Sequence, residues 1–224
     1  MMSARPRQLA LALDHAESFA REDFLSGSSN AVALALIDAW PDWSHRMVML
    51  TGPEGSGKSH LAAVWAQAAG ARRIAARALE EANVPSALAT GALVVEDIAA
   101  GAFDERALFH LLNLAGEHGA FVLLTARAAP ATFAIRDLAS RLKALPAVAI
   151  MPPDDVLLRA VLVKLFADRQ LAVDEGLIGY VATRIERSFA AARAAAARLD
   201  QEAMRHKRPL TRPFAAEVLR ATEP

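Results

Sequence analysis

The residues with the plainest chemistry are GPEGSGKS, Gly52 to Ser59. They fit G-x4-G-K-[ST], a loop whose backbone N–H groups converge on phosphate oxygens. Gly52, Gly55 and Gly57 give the backbone the freedom that convergence needs, with Pro53, Glu54 and Ser56 between them. Lys58 supplies positive charge to the β and γ phosphates, and the Ser59 hydroxyl is a candidate Mg²⁺ ligand. A helix starting there sets its partially positive end under the anion. The loop therefore implies ADP or ATP, with Mg²⁺.

Five further residues carry chemistry around it. ALVVED ends in Glu96-Asp97, where a nucleotide hydrolase usually has an Asp for Mg²⁺ and then a second acid. Glu96 stands at the Asp place, and its extra methylene displaces the carboxylate by ~1.5 Å. Mg²⁺ demands near-octahedral geometry at about 2.1 Å, so a bridging water would be needed and fast hydrolysis is disfavoured. The bland reading is a strand ending in solvated acids. Thr125 ends FVLLT, where a hydroxyl can reach the γ-phosphate or the attacking water. Arg141, in LASRLKAL, is either a surface arginine or a guanidinium pointing out of the subunit at a neighbour's nucleotide. Arg187, at the start of an Ala-rich helix, is either a helix-surface charge or a group that reaches back to the phosphates. His60, His110 and His118 match no metal-ligand spacing, and His110 reads as a packed histidine. Trp40, Trp43 and Trp65 lack an interleaved basic cluster and read as core.

These residues need a scaffold of strands ending in loops. RMVML (46–50), ALVVED (92–97), FVLLTA (121–126) and AVAI (147–150) read as buried strands, with ARRIA (71–75) a weaker one. Helices are expected at 28–40, 59–70 and 104–119. Short apolar strands alternating with helices imply a parallel sheet covered on both faces. After Met151-Pro152-Pro153 the pattern changes to helices at 154–170, 174–187, 188–204 and 213–221. The division expected is a tail and linker over 1–23, a nucleotide-binding core over 24–151 and a helical lid over 152–224.

Composition sets the bounds. The 224 residues suffice for one core plus a small satellite. They are 54% hydrophobic and 22% charged, which is globular. Lys plus Arg equal Asp plus Glu at 25 each, so no overall basic surface awaits free nucleic acid. There is no cysteine, hence no disulfide and no thiolate metal site, which fits a cytoplasmic protein. No apolar run approaches the roughly 20 residues of a membrane span.

Together the motifs resemble the AAA+ family of DnaA-type replication proteins, and within it the Hda-like regulators that work with the sliding clamp. GKSHLA is similar to the family's phosphate loop, ALVVEDI to its Walker B strand, and ALFHLLNLAGEHG with FVLLTARAAP to the segment through sensor 1. LASRL resembles box VII, which makes Arg141 the arginine finger. IERSFAAA resembles the sensor 2 helix, which assigns Arg187. LTRPFAAEVL is similar to the closing segment of the Hda-like proteins. ESFAREDFLSGSSNAVAL resembles the leading segment that holds adenine near Phe24 and Leu25. The loop and its flank, Gly52 to His60, complete the nucleotide contacts implied. Two departures stand out: Glu96 for Asp, and Thr125-Ala126-Arg127-Ala128 where DnaA has T-S-D-R.

The resemblance implies an AAA+ P-loop core, with a five-stranded parallel sheet and a small all-helical lid. It also gives the N-terminal hexad a role. Gln8-Leu9-Ala10-Leu11-Ala12-Leu13 fits the Q-L-x-L-x-L peptide that docks in the clamp, with Gln8, Leu9, Leu11 and Leu13 as contacts. The rival reading is a strand or helix turn packed on its own core. The implied function is regulation of replication initiation: the tail binds clamp on DNA, and Arg141 promotes hydrolysis of DnaA-bound ATP in trans. A chain ending at Pro224 leaves no room for a DNA-reading domain, so DNA is expected to be met through the clamp. A homodimer is left open. The alternatives are a self-sufficient ATPase of helicase-loader type and a clamp-tethered adaptor whose nucleotide is purely structural.

Overall fold

The computed structural model describes residues 19–99, 101–128 and 133–220. The hexad with Gln8, Leu9, Leu11 and Leu13 lies outside them. Among the described residues five strands form one sheet: β1 (Met47–Thr51), β2 (Arg72–Ala75), β3 (Ala92–Ile98), β4 (Phe121–Ala126) and β5 (Ala147–Ala149). Their order is β2-β3-β4-β1-β5, and every neighbouring pair is parallel. The three inner strands are the near-continuous apolar runs, as burial on both faces requires. The expected parallel sheet is present, with all five strands.

Alternation along the strands feeds two cores. Leu93, Val95, Val122 and Leu124 pack under α4 (Glu105–His118) and α5 (Arg136–Ala144). Val94, Leu123, Val48 and Leu50 pack under α1 (Ala31–Asp38) and α2 (Lys58–Ala69). Trp43 and Trp65 stack there at 5.0 Å between ring centres, so they are core aromatics as expected. A short helix, α3 (Val84–Ala87), completes this body. A third core joins α6 (Asp155–Asp168), α7 (Glu175–Ala182), α8 (Phe189–His206) and α9 (Arg212–Arg220) through Leu158, Leu162, Phe166, Val181, Phe214 and the alanine face of α8.

Several elements differ from expectation. The first helix begins at Ala31, not Ser28. Asn30 folds back instead, accepting from the Gly27 N–H at 2.8 Å and donating to the Leu25 carbonyl at 3.0 Å. Helices α3 and α5 are additional. The helix expected over 174–187 stops at Ala182, because the chain must turn before Ser188, whose extended backbone and side chain cap α8. His110 is exposed on α4 rather than packed. Among the described residues no helix is long and apolar enough to cross a membrane.

Candidate nucleotide site

Strand β1 delivers the chain into the loop at Gly52, whose N–H donates to the Ala126 and Arg127 carbonyls. A Cβ at Gly52 would stand 2.4 Å from the Ile150 carbonyl oxygen, so no other residue fits. Gly55 has φ +71° and faces the start of α8, where a Cβ would lie 2.8 Å from that of Ala190. Ser56 Oγ is buried with no hydrogen-bond partner. A buried orphan hydroxyl inside a glycine-built loop at a helix N-terminus is what a bound polyphosphate would satisfy. These residues fit the nucleotide.

Lys58 opens α2 and is 7% exposed. Its ammonium donates to the Gly52 carbonyl at 2.8 Å and the Pro53 carbonyl at 2.7 Å. Burial pulls its pKa below the ordinary lysine value, the nearby Asp97 charge opposes that, and Arg127 adds to it. Arg127, just past β4, makes an exposed ion pair with Glu54 at 2.5 Å. Ser59 stands exposed beside Lys58.

The two acids part company at the end of β3. The β3–β4 register shifts between Val95 and Ile98. Asp97 takes a left-handed backbone, φ +60°, and its N–H donates to Thr125 Oγ1 at 3.1 Å. Thr125, 1% exposed, is thereby joined to Asp97 through the backbone. Asp97 is exposed, and it is the strand-end acid whose charge acts on Lys58. Glu96 instead receives Arg73: Nε donates to its Oε1 at 2.8 Å, and Nη2 lies 2.6 Å from the same oxygen. Of the three residues expected to hold Mg²⁺, Glu96 already carries a guanidinium, whereas among the described residues no side-chain hydrogen bond or ion pair engages the Ser59 hydroxyl or the Asp97 carboxylate.

The segment expected near adenine packs against the start of α2. Phe24 is buried, and its ring edge meets the place where a Gly57 Cβ would stand. His60 packs edge-on against Phe19 and Phe24, with Nε2 3.1 Å from the Ala20 carbonyl. It fastens segment 19–24 to the start of α2. Leu25 contributes a carbonyl to the Asn30 turn.

Arg187 is not brought to the loop. It pairs with Asp155 at 2.9 Å, both side chains exposed. The residues against the loop are Ser188, Phe189 and Ala190 at the start of α8, with the Phe189 N–H donating to the Gly55 carbonyl at 2.9 Å. Arg141 is exposed on α5, on the opposite sheet face from α2, with its guanidinium 5.3 Å from the centre of the Phe109 ring. Glu105 of α4 accepts the N–H groups of Ala134 and Ile135 and so fixes the start of α5.

Arg73, Arg127, Phe189 and Ala190 are site residues that sequence reasoning missed. Arg127 had a signal, as a cation in the place of the T-S-D-R aspartate. Arg73 had none, because its partner depends on the register of β2 against β3.

No protein-family model matches the chain, and no curated protein matches it significantly. Solved structures do. Domain III of the replication initiation protein DnaA from Thermotoga maritima is 18% identical, with TM-score 0.74 over 91% of this chain and 96% of that one. AMPPCP-bound DnaA from Aquifex aeolicus is 17% identical, TM-score 0.63, over 84% and 68%. The Thermotoga maritima RuvB Holliday junction branch migration motor is 16% identical, TM-score 0.69, over 87% and 69%. The five-stranded parallel sheet with its flanking helices is therefore the AAA+ P-loop fold that DnaA domain III and RuvB also have.

Proposed function

We propose that this chain is a nucleotide-holding AAA+ regulator of replication initiation of the Hda-like type. Its core spans 24–151 and its lid 152–224, and ADP or ATP between them sets their relative angle. The observation that carries the reading is the placement of Arg141. It is exposed, rests on Phe109, and lies across the sheet from the chain's own α2. An arginine so presented can serve another molecule's phosphates. The site's own acids support the same view, since Glu96 is committed to Arg73.

The Gln8–Leu13 peptide tethers the chain to the sliding clamp on DNA, raising its concentration near DnaA. Arg141 then stabilises charge developing on the phosphoryl group of DnaA-bound ATP. In the chain's own site, Lys58 and the loop amides bind the phosphates, Phe24 packs on Gly57, and Phe189 closes the lid. Mg²⁺, if held there, falls to Ser59 and Asp97 and would neutralise phosphate charge.

The test is hydrolysis of DnaA-bound ATP with DNA-loaded clamp. Wild-type protein stimulates it, whereas Arg141→Ala and deletion of 8–13 each abolish the stimulation. Stimulation retained by Arg141→Ala would overturn the reading. A self-sufficient ATPase is the second reading, favoured by Asp97, the strand-end acid that lies near Lys58. Brisk turnover by the chain alone would establish it.

A further inference from the structure

We infer that Arg73 is a positioning residue that withdraws Glu96 from the metal, so that this site holds its nucleotide with little dependence on Mg²⁺. The inference rests on the nucleotide-binding reading above and concerns how the same site treats its cation.

Register explains how an arginine on one strand reaches an acid on the next. Arg73 pairs with Val94 and Ala75 with Glu96. Val94 and Glu96 are two apart, so Arg73 and Glu96 share one face of the sheet. Strand β2 is an edge, which lets the long side chain stay partly in solvent while its head lies along the strand ends. Both Nε and Nη2 converge on Oε1, and the Glu96 side chain is only 15% exposed. Arg73 itself is 39% exposed, so what holds the pair is the two charge-assisted contacts on one oxygen, which a competing ion must replace.

A metal competing for Glu96 must therefore displace a guanidinium that makes two contacts to one carboxylate oxygen. The extra methylene makes Arg73 reachable. The left-handed turn at Asp97, held by Thr125, leaves the next acid near Lys58 and free of Arg73. The donor set left for a cation is one hydroxyl and one carboxylate, which is thin for Mg²⁺.

The test is the affinity of the intact protein for ADP, measured by calorimetry with Mg²⁺ and with EDTA. For wild type the two Kd values differ by less than about threefold. For Arg73→Gln the Mg²⁺ enhancement rises to about tenfold or more, as a freed carboxylate joins the cation. Arg73→Lys, which keeps a charge for Glu96, stays close to wild type. Arg73→Gln with Glu96→Gln gains nothing. A folded Arg73→Gln protein that binds ADP with no added Mg²⁺ dependence makes the pair a mere cross-strand tie and overturns the inference. Wild type with no ADP affinity would instead defeat the nucleotide reading itself. Should Arg73→Gln fail to fold, wild type with Mn²⁺·ADP decides. Carboxyl-carbon resonances, assigned with Glu96→Gln and Asp97→Asn, broaden at Asp97 and not at Glu96. Equal broadening at both rejects the inference.

Discussion

The N–H of Phe189 donates to the carbonyl of Gly55 at 2.9 Å, so the first residue of α8 is fastened directly to the phosphate loop. The Ala190 methyl lies against the same glycine. Contact of this kind couples the loop's shape to the position of α8 without any charged side chain. It replaces the arginine contact expected of Arg187, which faces Asp155 instead.

Gly55→Ala tests the coupling. The new Cβ must adopt φ +71° and stand 2.8 Å from the Ala190 Cβ. Left-handed backbone alone costs on the order of 1–3 kcal/mol. We expect a melting temperature lower by several degrees and ADP affinity reduced at least about tenfold. A variant with unchanged melting and binding would show that the lid does not depend on this contact.

Lys58 gives a pH dependence. Its pKa lies below the ordinary 10.5, chiefly through burial. A bound polyphosphate favours the charged form, so binding takes up protons wherever the free protein has begun to lose this one. ADP affinity should fall as pH rises through the lowered pKa, before the range of an ordinary lysine. Lys58→Met should remove that alkaline limb and lose about a hundredfold or more in affinity while staying folded. An alkaline limb that survives in Lys58→Met would assign it to another group.

Asp154 gives the opposite limb, in stability. It caps α6 by accepting the Leu157 N–H at 2.7 Å and also takes the Ser28 hydroxyl at 2.7 Å. These bonds, the backbone one first, hold its pKa below 3.8. A carboxyl with a depressed folded pKa adds stability above its unfolded value and loses it as pH falls through the folded one. Denaturation at about pH 6 and about pH 3 should therefore show wild type losing more stability than Asp154→Asn, which caps without titrating. Equal losses would remove Asp154 from the acid response.

The strands were legible because inner parallel strands leave an unmistakable apolar run, as in FVLLTA and ALVVED. The loop was legible because Gly52, Gly55 and Gly57 are demanded by backbone geometry. Illegible were features set by pairing distant in sequence. The shift between Val95 and Ile98 gives Glu96 and Asp97 different fates, and nothing local encodes it. Arg187 is assigned through the likeness of IERSFAAA to a sensor 2 helix, yet the chain turns at Thr183–Ser188 and pairs it with Asp155 of α6. The helix bearing Arg141 was hidden by its short, strongly charged sequence, and it is fixed by Glu105 some thirty residues earlier.

Phe109 bears on the finger itself. The Arg141 guanidinium lies 5.3 Å from its ring centre, on the face of the molecule away from α2. An exposed cation–π contact is worth about 0.5–1 kcal/mol. That is too little to lock the arginine and enough to bias its direction. If Arg141 acts on another protein's nucleotide, Phe109→Ala leaves the charge in place but spreads it over more rotamers. Stimulation of DnaA-bound ATP hydrolysis should then fall by about three- to fivefold, far less than the ~10³-fold attached to removing the finger. Phe109→Tyr, which keeps the ring, should restore it. The chain's own ADP affinity should not move, since neither residue touches the loop. A Phe109→Ala loss as deep as that of Arg141→Ala would make the ring part of the partner's docking surface rather than a rest for the guanidinium.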